Sequence, residues 1–298
     1  MFAAAAVLAG LALIGQSAPQ AAAPAAKPRA LAAGQSLDWT ADAYPGPVRL
    51  IAGDTAVLIE PFRSEEGLVG PRLTVTAPGK AAAVLEGERS GLSFPSRITP
   101  IRWNAAGETL VLLESYTGGA HCCTAVQAAV PEGKGFRIVD LGRFDGEQIP
   151  EVPRDLDGDG ALDFVLRDDS LLYAFSSYAD SAAPPKILNI VDGKAVDVSH
   201  RPAFRSLFLK AMADYRKTCS EGSNGACAGL ALAAARAGKL EEAWPDVVRF
   251  HDAARRDWPT GCRVAVVEEE CPAGQEITYA TYPEALRAFL VEHDYVSR

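Results

Sequence analysis

Ala52-Gly53-Asp54-Thr55-Ala56-Val57-Leu58-Ile59-Glu60 returns as Ala106-Gly107-Glu108-Thr109-Leu110-Val111-Leu112-Leu113-Glu114, and more loosely as Asp159-Gly160-Ala161-Leu162-Asp163-Phe164-Val165-Leu166-Arg167. Each copy is a glycine turn followed by a run rich in Val, Leu and Ile, the pattern of a hairpin feeding a β-strand. The glycines recur 54 and then 53 residues apart. A period of that size suits a unit of about four strands, near the roughly 40 to 50 residues of blade-type repeats. Three copies fall short of the about four blades that a closed ring needs. The β-region is therefore an incomplete propeller, a propeller with one degenerate blade, or a β-sandwich that shares the hairpin.

Short apolar runs bounded by Gly, Pro, Asp or Asn surround these copies, at Val48–Ala52, Leu73–Ala77, Phe136–Asp140 and Lys186–Val191. This is the punctuation of a mainly β domain, which we place at residues 37–199. After Ser199 the period changes to 3.6. Phe204, Leu207, Phe208, Ala211 and Tyr215 share one face of a helix that begins after Pro202, and a second helix covers Ala226 to Ala237 with Gly238 as its stop. A third runs from Leu240 to Trp258, broken or restarted at Pro245, and a fourth opens at Tyr282 with Pro283 in its first turn. Arg263–Val267 reads as a strand and Glu268–Glu270 as a solvated turn. Residues 200–298 thus form a small helical domain, in which Cys227–Trp244 faintly resembles a single tetratricopeptide-type helical hairpin.

The chain of 298 residues is 48% hydrophobic, enough for a sizeable core. Phe2–Ile14 is an apolar run too short to span a bilayer, and small residues follow it up to Ala21-Ala22-Ala23. We read residues 1–23 as a secretory signal without the usual positive n-region, and 24–36 as an Ala/Pro-rich spacer, so that folding begins near Leu37. The expected location is periplasmic or secreted. No charged residue precedes Lys27, so cleavage leaves the net charge of −9 intact. An acidic surface repels nucleic acid and anionic lipid, and nothing remains to insert into a membrane.

The third repeat copy overlaps Asp155-Leu156-Asp157-Gly158-Asp159-Gly160-Ala161-Leu162-Asp163. Ca²⁺ takes 6 to 8 oxygen ligands, and a tight loop supplies them from positions 1, 3 and 5, with Gly at 6 and a carbonyl at 7. Those are Asp155, Asp157, Asp159, Gly160 and Ala161. Position 12, where an EF-hand carries Glu, is Leu166, and a strand starts directly after Asp163. The motif DxDGDGxxD before a hydrophobic strand resembles the calcium loops of FG-GAP and VCBS-type repeats of integrin-like β-propellers. The resemblance covers one well-matched copy of about a dozen residues, since the copies at Gly53 and Gly107 lack the acids. It implies a Ca²⁺ site built from Asp155, Asp157, Asp159 and Asp163 between strands.

Six cysteines suit an oxidising compartment. Cys219 with Cys227 and Cys262 with Cys271 are close pairs able to staple short turn-rich loops, which leaves adjacent Cys122 and Cys123 to each other or to a second molecule. Metal binding through His121 and these thiols is the weaker reading, because the other histidines lack zinc-site spacing. A reactive free thiol there would be at risk of oxidation. No G-x-S-x-G elbow, Walker loop, G-x-G-x-x-G, H-E-x-x-H or C-x-x-C-H occurs. Asp168-Asp169 read as a hairpin cap, and Tyr173, Phe175 and Tyr178 as core or as a rim able to stack on sugars or peptide. The preferred function is a non-catalytic, calcium-binding extracytoplasmic module, binding or structural, whose partner is a protein, peptide or glycan. The alternative is a secreted hydrolase or redox protein using the acidic loop or the Cys122-Cys123 pair.

Overall fold

The structure is a computed structural model describing residues 28–90, 94–119, 122–146, 149–264 and 271–296. The signal reading at 1–23, His121 and the acidic run Glu268–Glu270 lie outside the described residues. Strands β1 (Arg29–Ala30), β2 (Leu37–Trp39), β3 (Val48–Ala52), β4 (Thr55–Arg63), β5 (Val69–Thr76) and β6 (Ala83–Glu86) come first. They are followed by β7 (Ser96–Arg102), β8 (Thr109–Tyr116), β9 (Thr124–Glu132) and β10 (Gly135–Phe144), then β11 (Phe164–Arg167), β12 (Pro185–Val191) and β13 (Lys194–Asp197). Three sheets result, in the orders β1-β3-β4-β5-β6, β10-β9-β8-β7-β2 and β11-β12-β13.

The 53-residue period is the period of these sheets. Gly53 (φ 56°) makes the β3–β4 turn and Gly107 (φ 83°) the β7–β8 turn, both in the left-handed region that glycine enters freely. Gly160 (φ 88°) precedes β11, whose missing first partner is reduced to an isolated antiparallel bridge between Arg154 and Asp163. The third unit is therefore the same meander with its first strand replaced by the acidic loop.

The sheets stack face to face. Leu50, Val57, Ile59, Leu73 and Val75 of the first sheet meet Ile98, Val111 and Leu113 of the second. The opposite face of the second sheet sends Leu110, Leu112, Val126 and Val139 against Phe164, Leu166, Leu188 and Ile190 of the third. The far side of the first sheet is open, with Leu58 36% and Val84 51% exposed, so among the described residues the stack is layered, not a ring.

Helices α1 (Arg205–Cys219), α2 (Asn224–Arg236), α3 (Leu240–Phe250) and α4 (Tyr282–Glu292) form the fourth layer. Ile187 of β12 and Val198, just after β13, share a core with Phe204 and Phe208 at the start of α1, and Leu171, Phe175 and Ala182 pack into the core around α2. The change of period near Ser199 is thus where it was expected, but the junction is buried: Val198 is 2% and Ser199 1% exposed. The helices are a layer on the sheets and share their core.

Three expectations differ from what is observed. Pairing is already present inside the supposed spacer, where Arg29 and Ala30 of β1 lie in parallel with Leu50 and Ile51 and Leu31 donates its N–H to the Ile51 carbonyl at 2.9 Å. The third helix keeps Pro245 inside it and ends at Phe250, where His251 turns extended; Trp258 returns separately, its indole N–H 3.3 Å from the Tyr279 carbonyl. Of the strand expected at Arg263–Val267 only Arg263 and Val264 lie among the described residues, and they form a bend; beside them a two-residue ladder pairs β14 (Gly261–Cys262) with β15 (Glu276–Ile277), next to the Cys262–Cys271 bond. Cys219 and Cys227, both fully buried, tie the end of α1 to α2.

Helix α2 is buried along nearly its whole length, which explains its Ala and Gly content: small side chains let α1 and the third-sheet segment approach. A Cβ at Gly229 would lie 2.5 Å from the Ala182 Cβ and 3.0 Å from the Tyr215 ring. Helix propensity alone would make Gly229→Ala stabilising by about 1 kcal/mol. Overpacking of a close contact costs about 1–3 kcal/mol. The variant is therefore expected to lose net stability, seen as a lowered urea midpoint, whereas a raised midpoint would show that the layers are free to separate.

Candidate functional site

The acidic loop is shaped by its own carboxylates. Asp155 accepts from the Gly158 N–H at 2.6 Å and the Gly160 N–H at 3.0 Å, Asp157 from Asp159 N–H at 3.1 Å, and Asp159 from Ala161 N–H at 2.8 Å. Gly158 and Gly160 both have positive φ, which folds the backbone tightly enough for these bonds. The consequence is convergence. One oxygen from each of Asp155, Asp157 and Asp159 lies within 4.8 Å of the other two, and hydrogen bonding from Ala161 holds the Asp159 carboxyl below its ordinary range.

Asp163 is not part of this group. It is 1% exposed, with one oxygen 2.7 Å from the Leu156 N–H and the other 2.6 Å from the Asn189 side-chain amide, while burial raises its pKa. Its role here is to anchor the loop to β12 from below. Ala161 gives its N–H to Asp159 and sits at the turn into β11.

A cation that the sequence did not reveal faces the loop. Arg201, 42 residues beyond Asp159, places Nη1 2.7 Å from Asp159 and 3.3 Å from Asp157. It stands at the turn leading into α1, and Leu156 of the loop packs beside Val198, Phe204 and Phe208. Loop and helix junction are therefore neighbours.

The other expected groups are dispersed. Cys122 and Cys123 are bonded to each other at the tip of the β8–β9 hairpin, where Thr117 holds the turn through its N–H to the Cys123 carbonyl and through its hydroxyl. Phe175 is core, edge-on to Tyr282 and Phe289, while Tyr173 is 61% exposed and rests on Tyr178 at 5.4 Å. Asp168 caps a short 3-10 turn and accepts the Tyr295 hydroxyl at 2.7 Å.

Residues 207–294, which span all four helices but for the first two residues of α1, match the family described as the sll0997 C-terminal domain. The "Probable thylakoid lumen protein sll0997" of Synechocystis sp. is 35% identical over 236 residues, covering 76% of this chain and 68% of that protein. This chain belongs to the sll0997 family. "Uncharacterized protein y4bJ" of Sinorhizobium fredii is 27% identical over 266 residues, covering 85% of this chain but 41% of that protein. No solved structure matches. The stretch matching the sll0997 C-terminal domain carries two of the three disulfides, Cys219–Cys227 and Cys262–Cys271; the acidic loop and the cysteine hairpin precede it.

This sll0997-family chain also buries a carboxyl that its sequence presents as an ordinary strand end. Glu114 is 2% exposed because β8 is covered on both faces, and it accepts the Ile149 N–H at 2.5 Å. Burial pushes its pKa up to about 7, against the lowering effects of that N–H and of Arg97, its cross-strand neighbour, which is itself paired with Asp38 at 3.1 Å. Between about 4.5 and 7 the folded state binds more protons at this group than the unfolded state does, so it favours unfolding progressively as pH rises through that window. The full difference is about 3 kcal/mol, reached above pH 7. Comparing Glu114→Gln with the parent by urea melts at several pH values, the parent should lose stability relative to the variant between pH 4.5 and 7; a pH-independent difference would place the group in water.

Proposed function

We propose that this protein is an extracytoplasmic calcium-binding module, binding or structural in role, in which Asp155, Asp157 and Asp159 hold the ion and the Ala161 carbonyl adds a ligand. The observation that carries the reading is the convergence of three carboxylates within 4.8 Å, fixed by backbone N–H groups that leave further lone pairs available. The donor set is all oxygen, which suits a hard cation. The location rests on the signal-like Phe2–Ile14 run, on three disulfides and on the thylakoid lumen, an extracytoplasmic compartment, in the name of a relative.

A bound ion in this place would act on folding. Asp163 and Asn189 tie the loop to β12, and Leu156 ties it to the start of α1. Fixing the loop therefore fixes the seam between the third sheet and the helices. At about 1 mM Ca²⁺ and a dissociation constant near 0.1 mM, binding to the folded state adds about 1.4 kcal/mol. For a chain of 298 residues that corresponds to roughly 2–3 °C.

EDTA is expected to lower the melting temperature by about that amount, and Ca²⁺ to restore it better than Mg²⁺, whose rigid octahedral shell fits a flexible loop poorly. Asp157→Asn with Asp159→Asn should remove the response. Identical melting curves for the unaltered protein in EDTA and in Ca²⁺ would reduce DLDGDGALD to an acidic turn neutralised by Arg201.

A further inference from the structure

Away from the acidic loop, a cavity of 240 Å³ opens where the first two sheets meet the β4–β5 turn. Aromatic rings and two carboxylates line it, and no Lys or Arg does. Phe94, 53% exposed, leans against Tyr116 with ring centroids 4.7 Å apart and the rings tilted by 58°. The Tyr116 hydroxyl donates to the Gly119 carbonyl, in the hairpin tipped by the Cys122–Cys123 bond, which fixes that ring in the wall. Trp39 also lines the cavity but belongs to the core, being 3% exposed. The carboxylates are Asp42 and Glu88. Glu88 gives one oxygen to Arg143 at 2.6 Å, a residue outside the lining, whereas Asp42 is exposed and forms no ion pair among the described residues.

Charge selects the sign of the occupant. Carboxylates with no lining cation repel a phosphate or a carboxylate and attract a cation. Arg143 answers one of the two charges from outside, so a single negative charge is left for a guest. A metal ion fits poorly. Ca²⁺ takes 6 to 8 oxygens, and among the described residues three metal-ligating side chains converge in the acidic loop and not here. Aromatic rings offer a hard ion no lone pair, but the negative face of a ring attracts an organic cation. A primary ammonium carries three N–H donors that each need an acceptor. Methyl groups in their place leave no donor unmet and give Phe94 and Tyr116 an apolar surface to touch. The cavity lies below the roughly 300–1,000 Å³ of drug-sized pockets, which suits a compact head group.

We propose that this cavity binds a quaternary ammonium group, with its methyls against Phe94 and Tyr116 and its charge facing Asp42 and Glu88. The site shares no residue with the calcium loop and stands without it.

The test titrates the full chain, in EDTA and at low ionic strength, and reads binding by calorimetry and saturation-transfer NMR. The probes are choline, its uncharged isostere in which a tert-butyl group replaces the trimethylammonium, and n-butylammonium. Saturable binding of choline, tighter than that of either other probe, is the expected result. Phe94→Leu keeps an apolar side chain but removes the ring face, and should weaken choline roughly tenfold while leaving the isostere nearly unchanged. Asp42→Asn should weaken choline severalfold, and by less as salt is raised, with no loss for the isostere. Both positions are exposed, so the melting temperature should stay where it is. No saturable choline binding, equal or tighter binding of the isostere or of butylammonium, or choline binding indifferent to either substitution overturns the proposal.

Discussion

A strand buried on both faces fixes the architecture of this protein. Thr109–Glu114 in β8 has no polar alternation, and its odd and even side chains enter different cores: Val111 and Leu113 toward the first sheet, Leu110 and Leu112 toward the third. Such a strand is stable only between two apolar layers, each full burial of a Leu or Val contributing about 1.5–3 kcal/mol. The meanders before and after it supply those layers. Glu114, at the end of the same run, is carried into the interior with its neighbours, and the Ile149 N–H and Arg97 reduce the cost of burying its charge without removing it.

The third sheet repeats the problem at smaller scale. With only β11, β12 and β13 it buries one face on the second sheet and must cover the other, where Ile187 and Val198 would otherwise meet water. The helices answer this, and their central member can sit deep because it is made of Ala, Gly and Leu. Close approach has a geometric cost at Gly225 and Gly229, where no Cβ fits, and the buried Cys219–Cys227 bond limits how far α1 and α2 can part in the unfolded chain.

Much of this was legible locally. The strand runs, the glycine period, the four helices and the pairing of near cysteines depend on residues close in sequence, so their signals survive without tertiary context. Three kinds of feature did not. Layering was hidden because a propeller blade and a stacked meander have the same local pattern. Asp163 read as a ligand because its spacing fits, whereas its partner Asn189 lies 26 residues away and draws it beneath the loop. Arg201 reaches the loop only because the helix junction packs on the third sheet, and no spacing rule reaches that far. The C-terminal limit of α3 was missed for a different reason, since Pro245 looked like a breaker and is accommodated on an exposed turn while His251 ends the helix.

The charge balance at the loop decides how Arg201 and a metal ion relate. Three converging carboxylates bring a formal charge of −3, and the single guanidinium leaves −2. Arg201 is one-third exposed, so its pairing is screened by water and is worth little by itself, as for other surface ion pairs. It also reaches Asp157 and Asp159 and forms no ion pair with Asp155. A guanidinium in that position lowers repulsion without saturating the oxygens, and the charge it leaves equals that of one divalent cation. Arg201 and a divalent ion are then complements more than competitors, one on the helix side of the loop and the other among the carboxylates, and together they would bring the seam to neutrality.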